Sequence, residues 1–264
     1  VDDSLRELRA TFTEDADLYD RMRPGYPARM FDDLAALTGI GAHGRVLEIG
    51  CGTGQATAPM AERGLRIVAV ELGEAMAAVA RRNLAGHPRA EVVISAFEDW
   101  PLPAEPFDAV VSATAFHWVD PDVRVRKAAD ALRVGGALAT VSTHHVAGGS
   151  EALFNELQDC YERFDPATPP GLRLRPAADI LEDRAEPPGS ERFGPAEFRR
   201  YEWELTYTTG EYLDLLRTYS GHRALAPEAR RGLLDCIAAR IDREHGGYIT
   251  KRYLTELRVA HRTV

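Results

Sequence analysis

The chain has 264 residues, 45% hydrophobic and 28% charged, enough for one large domain with a sizeable core. Its 41 acidic residues outnumber its 32 basic ones and leave a net charge of −9, which excludes a phosphate-tracking basic stripe and so nucleic acid as the main partner. No apolar run reaches the ~18 residues of a membrane span. The start Val1-Asp2-Asp3-Ser4 lacks a basic-then-apolar leader. The three cysteines, Cys51, Cys160 and Cys236, show no paired spacing, which points to a reducing compartment. A cytoplasmic protein, off the membrane, is expected.

In chain order, the first forty residues read as helical, broken at Pro24 and Pro27. Met30, Phe31, Leu34 and Leu37 then form a helical stripe. From residue 45 strands and helices alternate. Strands are expected near 45–49, 66–71, 91–95, 107–112 and 136–142, with helices near 54–63, 74–85 and 121–133. Met76, Val79, Ala80 and Leu84 form the buried face of the second of these helices. This alternation requires a parallel sheet with right-handed crossovers, and such sheets bind ligands at the carboxyl ends of their strands. Past residue 146 the rhythm changes. A helix is expected from Gly148-Gly149-Ser150 to about Phe164, followed by a long proline-rich connection. Tyr201 to Tyr207 alternates as a strand, helices follow near 210–219 and 227–244, and about 250–260 alternates again, with Tyr253, Thr255, Leu257 and Val259 on one face. The expected organisation is a single domain. Its parts are a helical segment over 1–40, a ligand-binding core over 41–146, a helical and proline-rich cover over 147–200, and the last strands with further cover helices over 201–264.

The most informative segment is Val46-Leu47-Glu48-Ile49-Gly50-Cys51-Gly52-Thr53-Gly54-Gln55. It reads as a buried strand entering a glycine turn that opens a helix. An acid, Glu71, closes the next apolar run. Together these make a nucleoside-binding half-site, in which glycines admit a ligand close to the backbone and the acid accepts ribose hydroxyls. The dinucleotide fingerprint G-x-G-x-x-G would need a glycine at Gln55, and the Gly-Lys-Ser/Thr of a phosphate loop is absent. No Lys or Arg lies between Gly50 and Met60, which favours a cofactor without phosphates. NAD-dependent oxidoreduction is disfavoured on the same spacing.

Glu48-Ile49-Gly50-Cys51-Gly52-Thr53-Gly54 resembles motif I of the class I S-adenosylmethionine (SAM)-dependent methyltransferases. Glu71 resembles their ribose-binding acid. Ser95 to Pro103 resembles the segment bordering the adenine, and Pro106 to Asp120 the fourth strand with its catalytic-face loop. The subgroup it resembles is the small-molecule type 11 methyltransferases, including trans-aconitate methyltransferase-like proteins. The match is good over roughly residues 12–145. The resemblance implies a Rossmann-like α/β fold with a seven-stranded, mostly parallel sheet, an antiparallel last strand and a helical cover. It also implies methyl transfer from SAM to a small-molecule oxygen, nitrogen or carboxylate acceptor, as in secondary metabolism, with S-adenosylhomocysteine as product.

The resemblance places Gly50, Gly52 and Gly54 beside the methionine and ribose. Glu71 is set on the ribose hydroxyls, with Leu72 and Met76 against the adenine. Ala96 and Phe97 also border the adenine, and Thr114 lies under the methionine. Glu98 or Asp99 either accepts the exocyclic amine or caps the following turn. Tyr19 and Arg23 belong to a segment that resembles the element closing over SAM. Arg23 is the candidate partner of the methionine carboxylate, a surface arginine being the alternative. His117 is either a general base, since imidazole titrates near neutrality, or a pocket wall. Trp118 is core or pocket floor, and His144, His145 and His222 lie toward the acceptor end, each a structural residue or an acceptor contact. No histidine and carboxylate pattern has metal-ligand spacing. The Asn/Asp-Pro-Pro-Tyr/Phe motif of nucleobase amino methyltransferases is absent after the fourth strand, where Ser112-Ala113-Thr114-Ala115 stands. Two other functions fit the same residues: a non-methylating reaction such as cyclisation, or non-catalytic nucleoside binding. The oligomer is a monomer or homodimer.

Overall fold

The computed structural model describes residues 15–264. The expected helical stretch around Phe12, and with it part of the 1–40 segment, lies outside the described residues. Helix α1 spans Ala16–Met22, and its N-cap Asp15 accepts from the Leu18 amide at 2.9 Å. It ends at Arg23, which is extended as the residue before a proline must be. Helix α2, Ala28–Thr38, buries Met30, Phe31 and Leu34 and stops at Gly39, whose φ of +65° only glycine adopts readily.

The alternating core then runs β1 (Arg45–Ile49), α3 (Thr57–Glu62), β2 (Arg66–Glu71), α4 (Glu74–Asn83), β3 (Ala90–Ile94), β4 (Phe107–Ala113), α5 (Arg124–Ala131) and β5 (Leu132–Val146). The rest is α6 (Glu151–Phe164), β6 (Glu197–Thr208), α7 (Thr209–Arg217), α8 (Ser220–Ala224), α9 (Pro227–Glu244) and β7 (Tyr248–His261). Most elements fall where the periodicity places them. The fifth strand does not. It begins at Leu132 rather than 136 and runs on to Val146 rather than 142, and β6 begins at Glu197, ahead of Tyr201.

The seven strands form one sheet in the order β3-β2-β1-β4-β5-β7-β6. Strands β1 to β5 pair in parallel, and β7 lies antiparallel between β5 and β6. This is the expected seven-stranded Rossmann-like sheet with an antiparallel last strand. Strands β1 and β4 are buried on both faces, which is why they read as continuous apolar runs. One face packs Val46, Ile67, Ala69, Ala109 and Val111 under α2, α3 and α4. The other packs Leu47, Ile49, Phe107, Val110 and Leu138 under α5.

Strands β5, β6 and β7 are 15, 12 and 14 residues long, against 5 to 7 for β1 to β4. The end of β4, Ala113, pairs with Val141, and β5 continues five residues beyond, paired from Ser142↔Glu256 to Val146↔Arg252. At 3.3 Å per residue this overhang rises about 17 Å above the floor set by the shorter strands. Against it stands a third core, with Leu153 and Leu157 of α6, Leu215 of α7, and Leu233, Ile237 and Ile241 of α9. The structure corrects the cysteine reading: Cys160 and Cys236, 76 residues apart, form a disulfide between α6 and α9, and Cys51 is free and buried. The cysteine count therefore carries no information about compartment. No helix of the described residues is long and apolar enough to cross a membrane.

Candidate functional site

The strand order reverses between β1 and β4, and the crevice beyond their carboxyl ends is where such sheets hold ligands. A cavity of about 660 Å³ lies there, roofed by α1 and by residues after α7. Its floor is the glycine turn. Gly52 has φ +57°, and its amide donates to Glu71 Oε2 at 2.8 Å. Glu71 Oε1 accepts from the Gly73 amide, also at 2.8 Å, so one carboxylate ties the turn after β1 to the turn after β2. Burial raises the Glu71 pKa, against the pull of those backbone donors. A Cβ on Gly52 would lie 3.6 Å from Met76 Cε and enter the cavity, which is the space a ligand needs.

Gly50 has a different reason to be glycine. Its φ is +69°, and a Cβ there would sit 2.5 Å from the Ala115 Cβ. Gly50→Ala is expected to destabilise the chain by roughly 2 kcal/mol, from left-handed strain plus overpacking, read as a lower denaturation midpoint.

Arg23 and Tyr19 line the cavity. The Arg23 guanidinium lies 4.9 Å from the Tyr19 ring and 4.5 Å from the Tyr219 ring, and its Nη2 donates to Thr218 O at 3.1 Å. Its Nε is buried and has no hydrogen-bond partner. Thr114 lines the cavity with φ +54°, a conformation a β-branched residue adopts only when its surroundings force it. Here the Tyr26 hydroxyl, 2.9 Å from Thr114 Oγ1, helps hold it.

Leu72, Met76, Ala96 and Phe97 line the side of the cavity beside β2 and β3. Glu98 also lines it, but its Oε1 accepts from the Asp120 amide at 3.0 Å, which commits that oxygen to bracing the loop after β4. His117 and Trp118 follow β4 in a single 3-10 turn, with ring centroids 4.8 Å apart, and both line the cavity. Burial and then the Arg124 guanidinium hold the His117 imidazole below its ordinary pKa, so it is neutral at pH 7.

Three expected residues lie outside the cavity wall. Gly54 (φ +94°) faces Leu84 and Ala80 of the neighbouring helix region, so it serves turn geometry. His144 and His145 belong to β5 itself, not to a loop after it, so their side chains face apart. His145 lines the cavity, whereas His144 Nε2 meets Ser142 Oγ at 3.3 Å. His222 bonds the Tyr161 hydroxyl at 3.0 Å within the cover. The sequence reading missed Tyr219, Lys251, Tyr253 and Glu48, which all line the cavity. Lys251 continues, two residues earlier, the buried face already visible in Tyr253, Thr255 and Leu257, and that was its available signal. Glu48 is 1% exposed, its Oε2 has no hydrogen-bond partner, and burial, with the Glu71 carboxylate adding, pushes its pKa up to about 7. Away from the cavity, Glu156, Glu244 and His245 do converge, 89 residues apart at the widest, where the imidazole pairs with Glu156 at 3.2 Å.

Residues 46–136 match the family model for a methyltransferase domain. An uncharacterised methyltransferase of Mycobacterium tuberculosis is 38% identical over 138 residues, covering 52% of this chain and 54% of that protein. One from Geobacillus kaustophilus is 31% identical over 147 residues, covering 52% of this chain and 67% of the relative. The chain belongs to the class I SAM-dependent methyltransferases. It spans about half the length of the mycobacterial relatives it matches, 54%. A solved structure described as a type II methyltransferase from Anaeromyxobacter dehalogenans is 26% identical, with a TM-score of 0.63 over 92% of this chain and 98% of that one. SAM is the family's cofactor, and the donor set suits it. A floor open only where Gly52 lacks a Cβ, a bridging carboxylate, an orphaned buried carboxylate oxygen and an orphaned guanidinium nitrogen match a ligand that carries sugar hydroxyls, an ammonium and a carboxylate.

Proposed function

We propose that this chain transfers the methyl group of SAM to a nitrogen or oxygen of a small molecule. The observation that carries this reading is the Glu71 carboxylate, fixed by the Gly52 and Gly73 amides at the floor of the cavity beside the glycine turn. The cofactor, when bound, supplies a methyl group already activated by its sulfonium. Glu71 accepts the ribose hydroxyls, and Leu72, Met76, Ala96 and Phe97 flank the adenine. Arg23 holds the methionine carboxylate, and Glu48 is placed for the ammonium. Tyr19 and Tyr26 close the roof against water, and Thr114 shapes the floor under the reacting centre. Orientation in such a closed site is worth up to about 7–11 kcal/mol of barrier. His117, neutral at pH 7, takes the acceptor's proton where the acceptor carries one. Trp118 forms the wall beside it. Gly54 keeps only a turn-forming role, and His144 and His222 have no place in the site.

The test has two parts. Calorimetry with S-adenosylhomocysteine is expected to show one site per chain. Mass spectrometry of candidate acceptors incubated with SAM is expected to show a gain of one methylene. An acceptor altered in structure at unchanged mass would replace transfer with a cyclisation-type reaction. No binding of S-adenosylhomocysteine would end the reading.

A further inference from the structure

The overhanging strands hold a charge that the cofactor reading does not use. Lys251 of β7 is 4% exposed and lines the cavity. Among the described residues no carboxylate lies within ion-pairing distance of it. Its ammonium donates to the Tyr219 hydroxyl at 3.1 Å and lies 5.3 Å and 5.1 Å from the rings of Tyr219 and Tyr253. The surrounding polar groups are neutral or cationic. The Tyr253 hydroxyl meets that of Tyr207 at 2.9 Å. His145 of β5, paired directly with Tyr253 of β7, has a buried Nε2 with no hydrogen-bond partner. Burial, and then Lys251 itself, push the His145 pKa down to about 3, so this imidazole brings no charge. Burial works to raise the Tyr219 pKa, but the cations of Lys251 and Arg23, with hydrogen bonds from Lys251 and Tyr253, hold the phenol below its ordinary value.

A buried cation is ordinarily paired, because hydroxyls and ring faces do not replace its lost hydration. Two cations face this cavity, Arg23 and Lys251. The cofactor has a single carboxylate, and in the proposed methyl transfer Arg23 holds it. Strand β7 lies four places from β2, which carries Glu71, in the order β2-β1-β4-β5-β7. At 4.8 Å per place that is about 19 Å across the sheet. From β4, which leads into His117, it is two places, about 10 Å across the sheet, and Lys251 stands on the overhang above the end of β4.

We propose that Lys251, with Tyr219 and His145, forms a subsite for a carboxylate carried by the methyl acceptor. The acceptor is then a small organic acid. Its carboxylate is held at Lys251, and its methylated nitrogen or oxygen reaches the His117 end of the same cavity. The bound carboxylate serves as a handle and not as the nucleophile, because pairing with an ammonium draws off the electron density that attack requires. The flat walls of Tyr253, Tyr219 and Trp118 suit an aromatic or unsaturated body between the two ends.

This assignment rests on the proposed methyl transfer, and the experiment separates the two. Calorimetry measures hydroxyphenylpropionate against its neutral amide, each with and without S-adenosylhomocysteine. The carboxylate is expected to bind at least about ten-fold more tightly than the amide. Lys251→Met is expected to erase that preference with affinity for S-adenosylhomocysteine unchanged, and Lys251→Arg to keep part of it. Equal affinity of acid and amide for the wild-type chain, binding of neither, or a preference that survives Lys251→Met overturns the proposal. If Lys251→Met does not fold, the wild-type comparison and Lys251→Arg decide it. A chain that ignores S-adenosylhomocysteine yet prefers the acid would sink the methyl-transfer reading and leave the carboxylate subsite standing.

Discussion

Glu71→Ala is expected to weaken S-adenosylhomocysteine binding by roughly 10²–10⁴-fold, the loss of two hydrogen bonds to a charged acceptor at about 1.5–3 kcal/mol each. The chain should stay folded. The two amides that the carboxylate now satisfies, on Gly52 and Gly73, line a cavity into which water enters, so they trade one acceptor for another. Glu71→Gln should fall between, since an amide keeps one accepting oxygen but turns an NH2 toward a backbone N–H. Calorimetry gives the dissociation constants and circular dichroism checks the fold. An unchanged constant in Glu71→Ala would remove this residue from the ligand and the cofactor reading with it.

The second large effect is a pH dependence set by Glu48. An ordinary glutamate ionises near 4.5, but burial moves this one to about 7. A raised carboxylate pKa means the native state holds its proton after the unfolded chain has released it. Stability from this group is therefore full below about pH 4.5 and falls as pH rises toward 7. The difference is on the order of 3 kcal/mol. Glu48→Gln cannot ionise, so between pH 5 and pH 8 its stability should fall less than that of the wild type, and it should be the more stable protein at pH 8. Urea titrations at both pH values measure this. Curves that fall in parallel would show that Glu48 is already ionised and compensated in the free chain. The neighbouring Glu71, also raised, leaves a smaller slope of the same sign in both proteins.

The half of the site that rests on β1 and β2 was legible in the sequence, because its chemistry is local. Three glycines and one acid at strand ends identify it without knowledge of what packs above. Within that half the ambiguity was steric. Gly50, Gly52 and Gly54 look alike in one dimension, yet the first is pressed against Ala115, the second opens onto the cavity and the third turns toward Leu84. The other half was not legible, because it depends on strand length. Ending the fifth strand at 142 makes His144 and His145 equivalent loop residues, whereas extending it to Val146 sends them to opposite faces. Lys251 and Tyr219 meet only through the tertiary fold, across 32 residues and two elements. Cys160 and Cys236 are likewise joined by helix packing that no spacing rule encodes.

That sulfur–sulfur link stays inside one layer. It fastens α6 to α9, and no covalent bond beyond the main chain runs from that layer to the strand ends beneath it. Across the crevice the N-terminal segment bridges the two by polar contacts: the Tyr26 hydroxyl on Thr114 and the Gln55 amide on the Arg23 carbonyl below, Arg23 on Thr218 above. Parting these contacts would open the crevice while the disulfide still holds α6 to α9.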